Sequence, residues 1–422
     1  MPLTRREFLA ASGMSLACLS GLTAAPPAAP AGKRKKLAVI STIYHQYSHS
    51  DHIAGHFLYG YTIGGKHHLP DYEVVSMYVD QLPGEDLSVG LSKKFGFRHC
   101  KSVREALVAD GDRLAVDAVL LIGEHGDYPE NEYGQKLYPR FELFNQIVDE
   151  FRRCKQAVPV FNDKHLSYSW QKAKQMFDWS RELNFPLQAG SSLPVTWRLP
   201  DLEVPLGTKF ESALAVGWGP AEIYGFHLLE TLQCHVERRA GGETGVKSVR
   251  MLEGDAVWKS GDAGEWPLDL LDVALGRSHS VNFGNVRENA PEPRLFLVEY
   301  RDGFKASAVQ LNGHITDFMF AARLQGVPEP VSTMHYLPAR PGVKYFDGLV
   351  WNIERMLAAG KAVIPIERTL LISGALEAAL HSLHDGKVVE TPQLAVAYTP
   401  PEDSGHLRGP VDRIGQAAAN RS

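Results

Sequence analysis

His45, His49, His52 and His56 fall within twelve residues of this 422-residue chain, with Asp51 among them. On a helix, His49, His52 and His56 would be i, i+3 and i+7 and share one face. A second polar group follows later, Gly123-Glu124-His125-Gly126-Asp127-Tyr128, with Glu130 and Glu132 behind it. Imidazole and carboxylate together can bind a divalent metal or hydrogen-bond a polyol such as a sugar. The metal alternative uses His45, His49, Glu124 and His125. Their spacing matches no metal motif, and the sequence has no His-Glu-x-x-His. The bland alternative is solvated surface histidines with helix-capping acids. His67-His68, before Leu69-Pro70, reads as an exposed loop.

The elements around these residues set where they can meet. Leu37, Ala38, Val39 and Ile40 form a short apolar run typical of a buried parallel strand. Further strands are expected over 72–79, 116–123, 158–161 and 185–190. A helix opens at Ser102 as N-cap. An apolar stripe at Phe141, Phe144, Ile147, Val148 and Phe151 predicts a helix over 141–154, and another is expected over 169–183. Strands alternating with helices imply a doubly wound parallel sheet. Both polar groups then lie at the carboxyl ends of strands, where such folds bind ligands, and could converge. After about residue 192 the pattern changes. Strands over 246–252, 294–300 and 306–311, separated by Gly-rich turns and a polar connection of some 30 residues, predict an α/β domain with a large, mostly antiparallel open sheet. Late helices are expected over 351–359 and 370–383. The polar tail past Pro400 is expected to fray.

Composition bounds the rest. The chain is 44% hydrophobic and 22% charged, with a formal net charge of −5. This excludes wholesale disorder, collagen and coiled coil. With no positive excess, an electrostatic nucleic-acid binder is excluded too. At about 150 residues per domain, two to three domains are expected. No apolar run of membrane-spanning length follows the N-terminus. That N-terminus, Thr4-Arg5-Arg6-Glu7-Phe8-Leu9 with an apolar stretch and a small-residue exit at Ala29-Pro30-Ala31, reads as a twin-arginine export signal. The alternatives are an ordinary secretory signal, a retained anchor, or a lipoprotein signal at Cys18. Cleavage after Ala31 leaves 391 residues with net charge −6, in the periplasm or outside the cell. Cys100, Cys154 and Cys234 remain, which make no disulfide framework. The expected division is a signal over 1–31, domains over 32–192 and 193–400, and a tail over 401–422.

The order of parts resembles the Gfo/Idh/MocA oxidoreductases, in which a Rossmann-like domain precedes an α/β sheet domain. Val158-Pro159-Val160-Phe161-Asn162-Asp163-Lys164-His165-Leu166 looks like that family's Glu-Lys-Pro-Leu strand end, with Lys164 matching and Asp163 and His165 replacing Glu and Pro. Gly225-Phe226-His227-Leu228-Leu229-Glu230 is similar to its Asp-x-Gly-x-His-x-x-Asp segment. There His227 matches the histidine, Glu230 the last acid, and Ile223 stands where the first Asp is expected. Val116-Asp117-Ala118-Val119 looks like the strand before the nicotinamide-side loop. Phe346-Asp347-Gly348-Leu349 through Ile366-Glu367-Arg368-Thr369 resembles the C-terminal helix pair.

The resemblance implies an oxidoreductase acting on a carbohydrate or polyol with NAD or NADP. It makes His227 the acid/base and Lys164 its electrostatic partner, since a cation lowers a neighbour's pKa and imidazole titrates near neutrality. Glu230 either orients His227 or pairs with Arg238 or Arg239. The plainer readings are a surface lysine opening a helix and a core histidine. The cofactor contacts expected are Ser41, Thr42, Asp80, Glu124, His125 and Lys164. The glycine-rich turn departs from the family: Ser41, Ile43 and Gln46 hold the three glycine positions. Ile43 would stand where phosphates need bare backbone. Redox-neutral lyase or hydrolase chemistry, or sugar binding without catalysis, are the alternatives. Pairing of two copies through the open sheet, as a homo-oligomer, is also expected.

Overall fold

The computed structural model describes residues 33–108, 111–338 and 344–409. The segment expected to be an export signal lies outside them. The first half runs β1 (Lys35–Ser41), α1 (His49–Tyr59), β2 (Tyr61–Ile63), β3 (Lys66–His68), β4 (Tyr72–Val79), α2 (Ser88–Phe95), β5 (Arg98–Cys100), α3 (Val103–Leu107) and β6 (Ala118–Ile122). It continues with α4 (Arg140–Cys154), β7 (Val160–Asp163), α5 (Trp170–Glu182) and β8 (Leu187–Gly190). Six of the strands form a parallel sheet in the order β5-β4-β1-β6-β7-β8. This is the doubly wound order with its switch point between β1 and β6. Covered on both faces, β6 is apolar and buried at every position. The stripe of α4 packs as expected, with Phe144, Ile147, Val148 and Phe151 in the core. Ser102 caps α3 by accepting from Glu105 N.

The second half runs β9 (Trp197–Leu199), β10 (Phe210–Gly217), α6 (Ile223–Val236), β11 (Val246–Glu253), α7 (Asp255–Asp262), α8 (Asp269–Leu275), α9 (Val286–Asn289), β12 (Arg294–Tyr300), β13 (Lys305–Gln310), β14 (Phe318–Leu324) and β15 (Val331–Tyr336). It ends with α10 (Tyr345–Ala359), α11 (Ile366–Asp385) and β16 (Val389–Glu390). Eight strands form one sheet in the order β16-β11-β12-β13-β10-β14-β15-β9, antiparallel except for β10 beside β13. On one face lie α6 and α11. On the other, Trp258, Trp266, Leu270 and Leu271 of the polar connection cover Leu214, Val216, Met319 and Ala321. That face of the sheet is therefore covered by the chain's own helices.

Three further segments depart from expectation. His67 and His68 belong to the hairpin β2–β3, and His68 Nε2 lies 2.7 Å from Glu354 Oε2. From the second half, α10 returns to the first, packing Phe346, Leu349 and Ile353 against Tyr44, Ile53 and Phe57. The tail does not fray over 401–409. Leu407 N donates to Val195 O at 3.0 Å, and Asn352 Nδ2 donates to Gly405 O at 2.8 Å. No described helix is long and apolar enough to cross a membrane.

Candidate active site

The carboxyl ends of β1, β6 and β7 meet the start of α6 around a cavity of about 150 Å³. His49, Glu124, His125, Lys164 and His227 line it, with Tyr224, Phe318 and Phe346 among its aromatic walls. The two polar groups singled out in the sequence thus converge. The three helical histidines also share a face toward α10. The His49 ring meets Phe346 edge-on at 5.1 Å, His52 stacks on Phe346 at 4.7 Å, and His56 Nε2 lies 2.8 Å from Asp347 Oδ1.

Backbone strain is concentrated here. Five described non-glycine residues have left-handed φ, and three of them, Tyr47, His125 and Lys164, line this cavity. Each costs about 1 to 3 kcal/mol, which the surroundings must offset. For Lys164 the offset is visible: its N–H donates to Gly190 O at 3.0 Å, and Gly190 N–H donates back to Lys164 O at 3.2 Å. The bend turns Lys164 off the end of β7 toward α6.

Lys164 Nζ lies 2.5 Å from His227 Nε2. The ammonium donates, so Nε2 accepts and the imidazole carries its proton on Nδ1. That Nδ1–H donates to Ser191 Oγ at 2.9 Å, and the Ser191 hydroxyl donates to Glu230. A proton path therefore runs Lys164, His227, Ser191, Glu230. Burial, and then the Lys164 charge, hold the His227 pKa well below the ordinary value, so the imidazole is neutral. Burial raises the Glu230 carboxyl to about 7, against the bonds from Ser191. Glu230 does not pair with Arg238 or Arg239. Arg238 bonds Val204 O and Glu203, and Arg239 bonds Glu243 and Asp302.

In the same cavity lining, His49 Nδ1 lies 2.6 Å from Asp163 Oδ2. Burial, then Lys164, lowers His49 to about 3, and burial raises Asp163 to about 6. Burial also lowers His125 to about 4. Beneath them Glu124 is fully enclosed. It bonds Arg140, and Lys164 Nζ is 3.8 Å from its Oε1. Burial disfavours its charge, but Lys164 and Arg140 together outweigh burial and hold its pKa below the usual carboxylate value. Sequence reasoning did not single out Arg140 or Ser191, and it read Phe346 only as part of a helix pair and not as a wall of the site. Arg140 stands at the polar start of a helical stripe and looks like a solvated charge.

The metal alternative does not assemble among the described residues. His45 Nδ1 faces Gln46 O at 2.9 Å, and Glu124 is taken by two cations that oppose a metal there. Cys234, His235 and His335 do bring ligand atoms within 4.8 Å of one another. However, Arg198 Nη2 lies 3.8 Å from Cys234 Sγ, and a fixed guanidinium repels a metal cation.

A dinucleotide needs free amides at the first turn and a bare helix N-terminus. Here the turn satisfies itself. Thr42 N donates to Ile122 O, Ile43 N to Ser41 Oγ, His45 N to Ser48 Oγ, Tyr47 N to Asp51 Oδ2 and Ser48 N to His45 O. Ser41 Oγ is 2.5 Å from Ser50 Oγ, Thr42 Oγ1 donates to Glu124 O, and the Ile43 side chain is buried. Asp51 adds a negative charge in the first turn of α1, where a phosphate would need positive potential. Asp80, the expected ribose partner, accepts from Tyr78 and Tyr128 hydroxyls at 2.8 and 2.7 Å. Gln81 pins the loop after β6 over it through Asp127. As folded, these residues do not fit a dinucleotide.

No protein-family model and no curated protein matches the chain. Solved structures do. GenD2 from gentamicin A biosynthesis, in complex with NAD, aligns at TM-score 0.53 and 13% identity, over 87% of this chain and 99% of its own. Myo-inositol 2-dehydrogenase from Lactobacillus plantarum aligns at 0.51 and 12%, over 85% and 99%. Scyllo-inositol dehydrogenase from Lactobacillus casei, with NAD(H) and scyllo-inositol bound, aligns at 0.51 and 10%, over 85% and 99%. The chain has the two-domain fold of these dehydrogenases. Lys164, His227 and the cavity sit where that fold places a ligand, at the carboxyl ends of the parallel strands. Fold likeness at this identity does not carry the chemistry with it.

Proposed function

We propose that the chain is an enzyme acting on a carbohydrate or polyol, in which the Lys164–His227 pair handles the proton of a substrate oxygen. The observation that carries this is the 2.5 Å contact between Lys164 Nζ and His227 Nε2 in a cavity that His49, Glu124 and His125 also line. The shared proton can go to a developing oxyanion from Lys164, and the neutral imidazole can take it back. Aromatic walls suit the C–H faces of a polyol. The histidines and the ammonium suit its hydroxyls. The structural neighbours named for inositols support this substrate class.

A second reading, an oxidoreductase using NAD or NADP, is favoured by the fold shared with solved dehydrogenases. The closed first turn weighs against it. The N-terminal residues Arg5 and Arg6 support export by the twin-arginine route to the periplasm.

Native mass spectrometry of the exported protein, with turnover assays on ketoses and inositols, tests both readings. A bare protein mass with turnover abolished by Lys164→Met supports the proposal. A nucleotide adduct supports the second reading. Full turnover in Lys164→Met overturns the role of the pair. Retention of the double variant Arg5→Lys with Arg6→Lys in the cytoplasm supports the export route.

A further inference from the structure

We propose that His49, oriented by Asp163, is a second catalytic base, and that the site enolises an α-hydroxycarbonyl sugar or polyol without any redox cofactor. This rests on the acid–base reading of Lys164 and His227 and names the substrate class it serves. His49 is the first residue of α1, immediately after the turn that fails as a phosphate cradle. In place of a cofactor, the switch point carries an imidazole.

The geometry is that of a base with its orienting carboxylate. Asp163 Oδ2 accepts from His49 Nδ1–H at 2.6 Å. That bond fixes the tautomer and leaves the Nε2 lone pair bare. Among the described residues Nε2 has no hydrogen-bond partner, and it is not among the sealed-off polar atoms, so it opens on the cavity His49 lines. Asp163 Oδ1 is also buried without a partner, so this carboxylate serves His49 rather than a saturated structural network. In the same cavity Lys164 bonds His227 with one N–H and faces Glu124 at 3.8 Å. Its third N–H remains for a substrate oxygen.

Two such groups lining one cavity match one reaction class. His49 Nε2 takes the proton from the carbon next to a carbonyl. The C–H electron pair becomes the new C–C double bond, and the carbonyl π pair moves onto oxygen. Lys164 gives that oxygen a proton and takes one back from an enediol hydroxyl as the enediol collapses. The product is an enediol, and returning the proton to either carbon completes an exchange or an isomerisation. No electron leaves the substrate, so no oxidant is required. A neutral His49 can accept the proton, and the Asp163 carboxylate offsets the imidazolium that burial and Lys164 disfavour.

The test is solvent deuterium incorporation, read by proton NMR, using erythrulose and 2-keto-myo-inositol in D2O without added nucleotide. The wild-type protein should exchange the α-proton of at least one probe well above buffer. His49→Gln should lose at least about 100-fold of that rate, the low end for a general base. Asp163→Asn, in a positioning residue, should lose less and should move the nitrogen NMR signature of His49 away from the Nδ1–H tautomer. Thermal melts exclude misfolding, and His49→Asn gives a second variant if His49→Gln is unstable. Exchange kept in His49→Gln but lost in Lys164→Met overturns the His49 role and leaves the Lys164–His227 reading standing. Exchange kept in both overturns both. No exchange with either probe overturns enolisation, while the turnover assays above still judge the pair.

Discussion

Ser191 Oγ lies 2.9 Å from His227 Nδ1 and donates its own proton to Glu230. Glu230, one helical turn after His227, therefore reaches the imidazole through a residue of a different element, the segment after β8. Ser191→Ala removes the acceptor that fixes the His227 tautomer and leaves a buried carboxyl without its hydroxyl donor. A hydrogen bond to a charged group is worth about 1.5 to 3 kcal/mol. Turnover in Ser191→Ala should fall roughly 10- to 100-fold, mostly in kcat, because the serine is behind the imidazole and not in the cavity wall. A loss confined to KM would place Ser191 in substrate binding instead.

The Glu230 carboxyl also sets a pH dependence of folding. Burial raises it from the ordinary 4.5 to about 7. Between those values the folded protein holds a proton that the unfolded chain has released. This contribution is fully present below about pH 4.5 and is lost as pH rises through 7. Glu230→Gln keeps the volume and removes the titration. Thermal melts of the wild type should decline from pH 5 to 7.5 more steeply than those of the variant. The divergence should be on the order of 3 kcal/mol across the window. Parallel curves would mean that Glu230 does not titrate there.

Much of the first half was legible because its physics is local. The run Leu37 to Ile40, the Ser102 cap and the Phe144–Ile147–Phe151 stripe each signal one element, and the elements dictate the sheet. That placed Glu124 and His125 beside the histidine segment. Lys164 and His227 were visible only through a resemblance, since neither spacing nor composition singles them out. Ser191 and Arg140 were not legible at all. Their roles depend on contacts to His227 and Glu124, 36 and 16 residues away, and nothing local marks such residues. The closed turn was half legible. Ile43 announced that phosphate could not approach, but the Asp80–Tyr128 bond that seals the cleft needed the fold.

Arg140 is fully buried and bonds Glu124, which is nearly as enclosed. Removing one partner of such a pair leaves an unpaired buried charge, at a cost of about 3 to 5 kcal/mol. Arg140→Met should lower stability in denaturant titrations by that amount. Arg140→Lys should recover only part, because a single nitrogen lacks the fixed fork with which the guanidinium spans Glu124 and His165. The double variant Arg140→Met with Glu124→Gln should be more stable than Arg140→Met alone. If the second change adds to the loss, the carboxylate is held by Lys164 and does not need Arg140.

The covered sheet makes the last prediction, on assembly. A stable pairing needs roughly 800 Å² from each copy. On one face of the large sheet, Leu214, Val216, Met319 and Ala321 have no exposure at all. They lie under Trp258, Trp266 and Leu270 of α7 and the segment through α8. Presenting that face to a second copy would mean peeling off these helices and exposing both apolar surfaces. Light scattering of the purified protein should therefore give the mass of one chain at micromolar concentration. Leu270→Asp, which puts an unpaired charge under the cover, should loosen it and produce association that grows with concentration. A dimer in the wild type that survives dilution, with hydrogen exchange protected on α7 and α8, would show that the copies pair through some other surface.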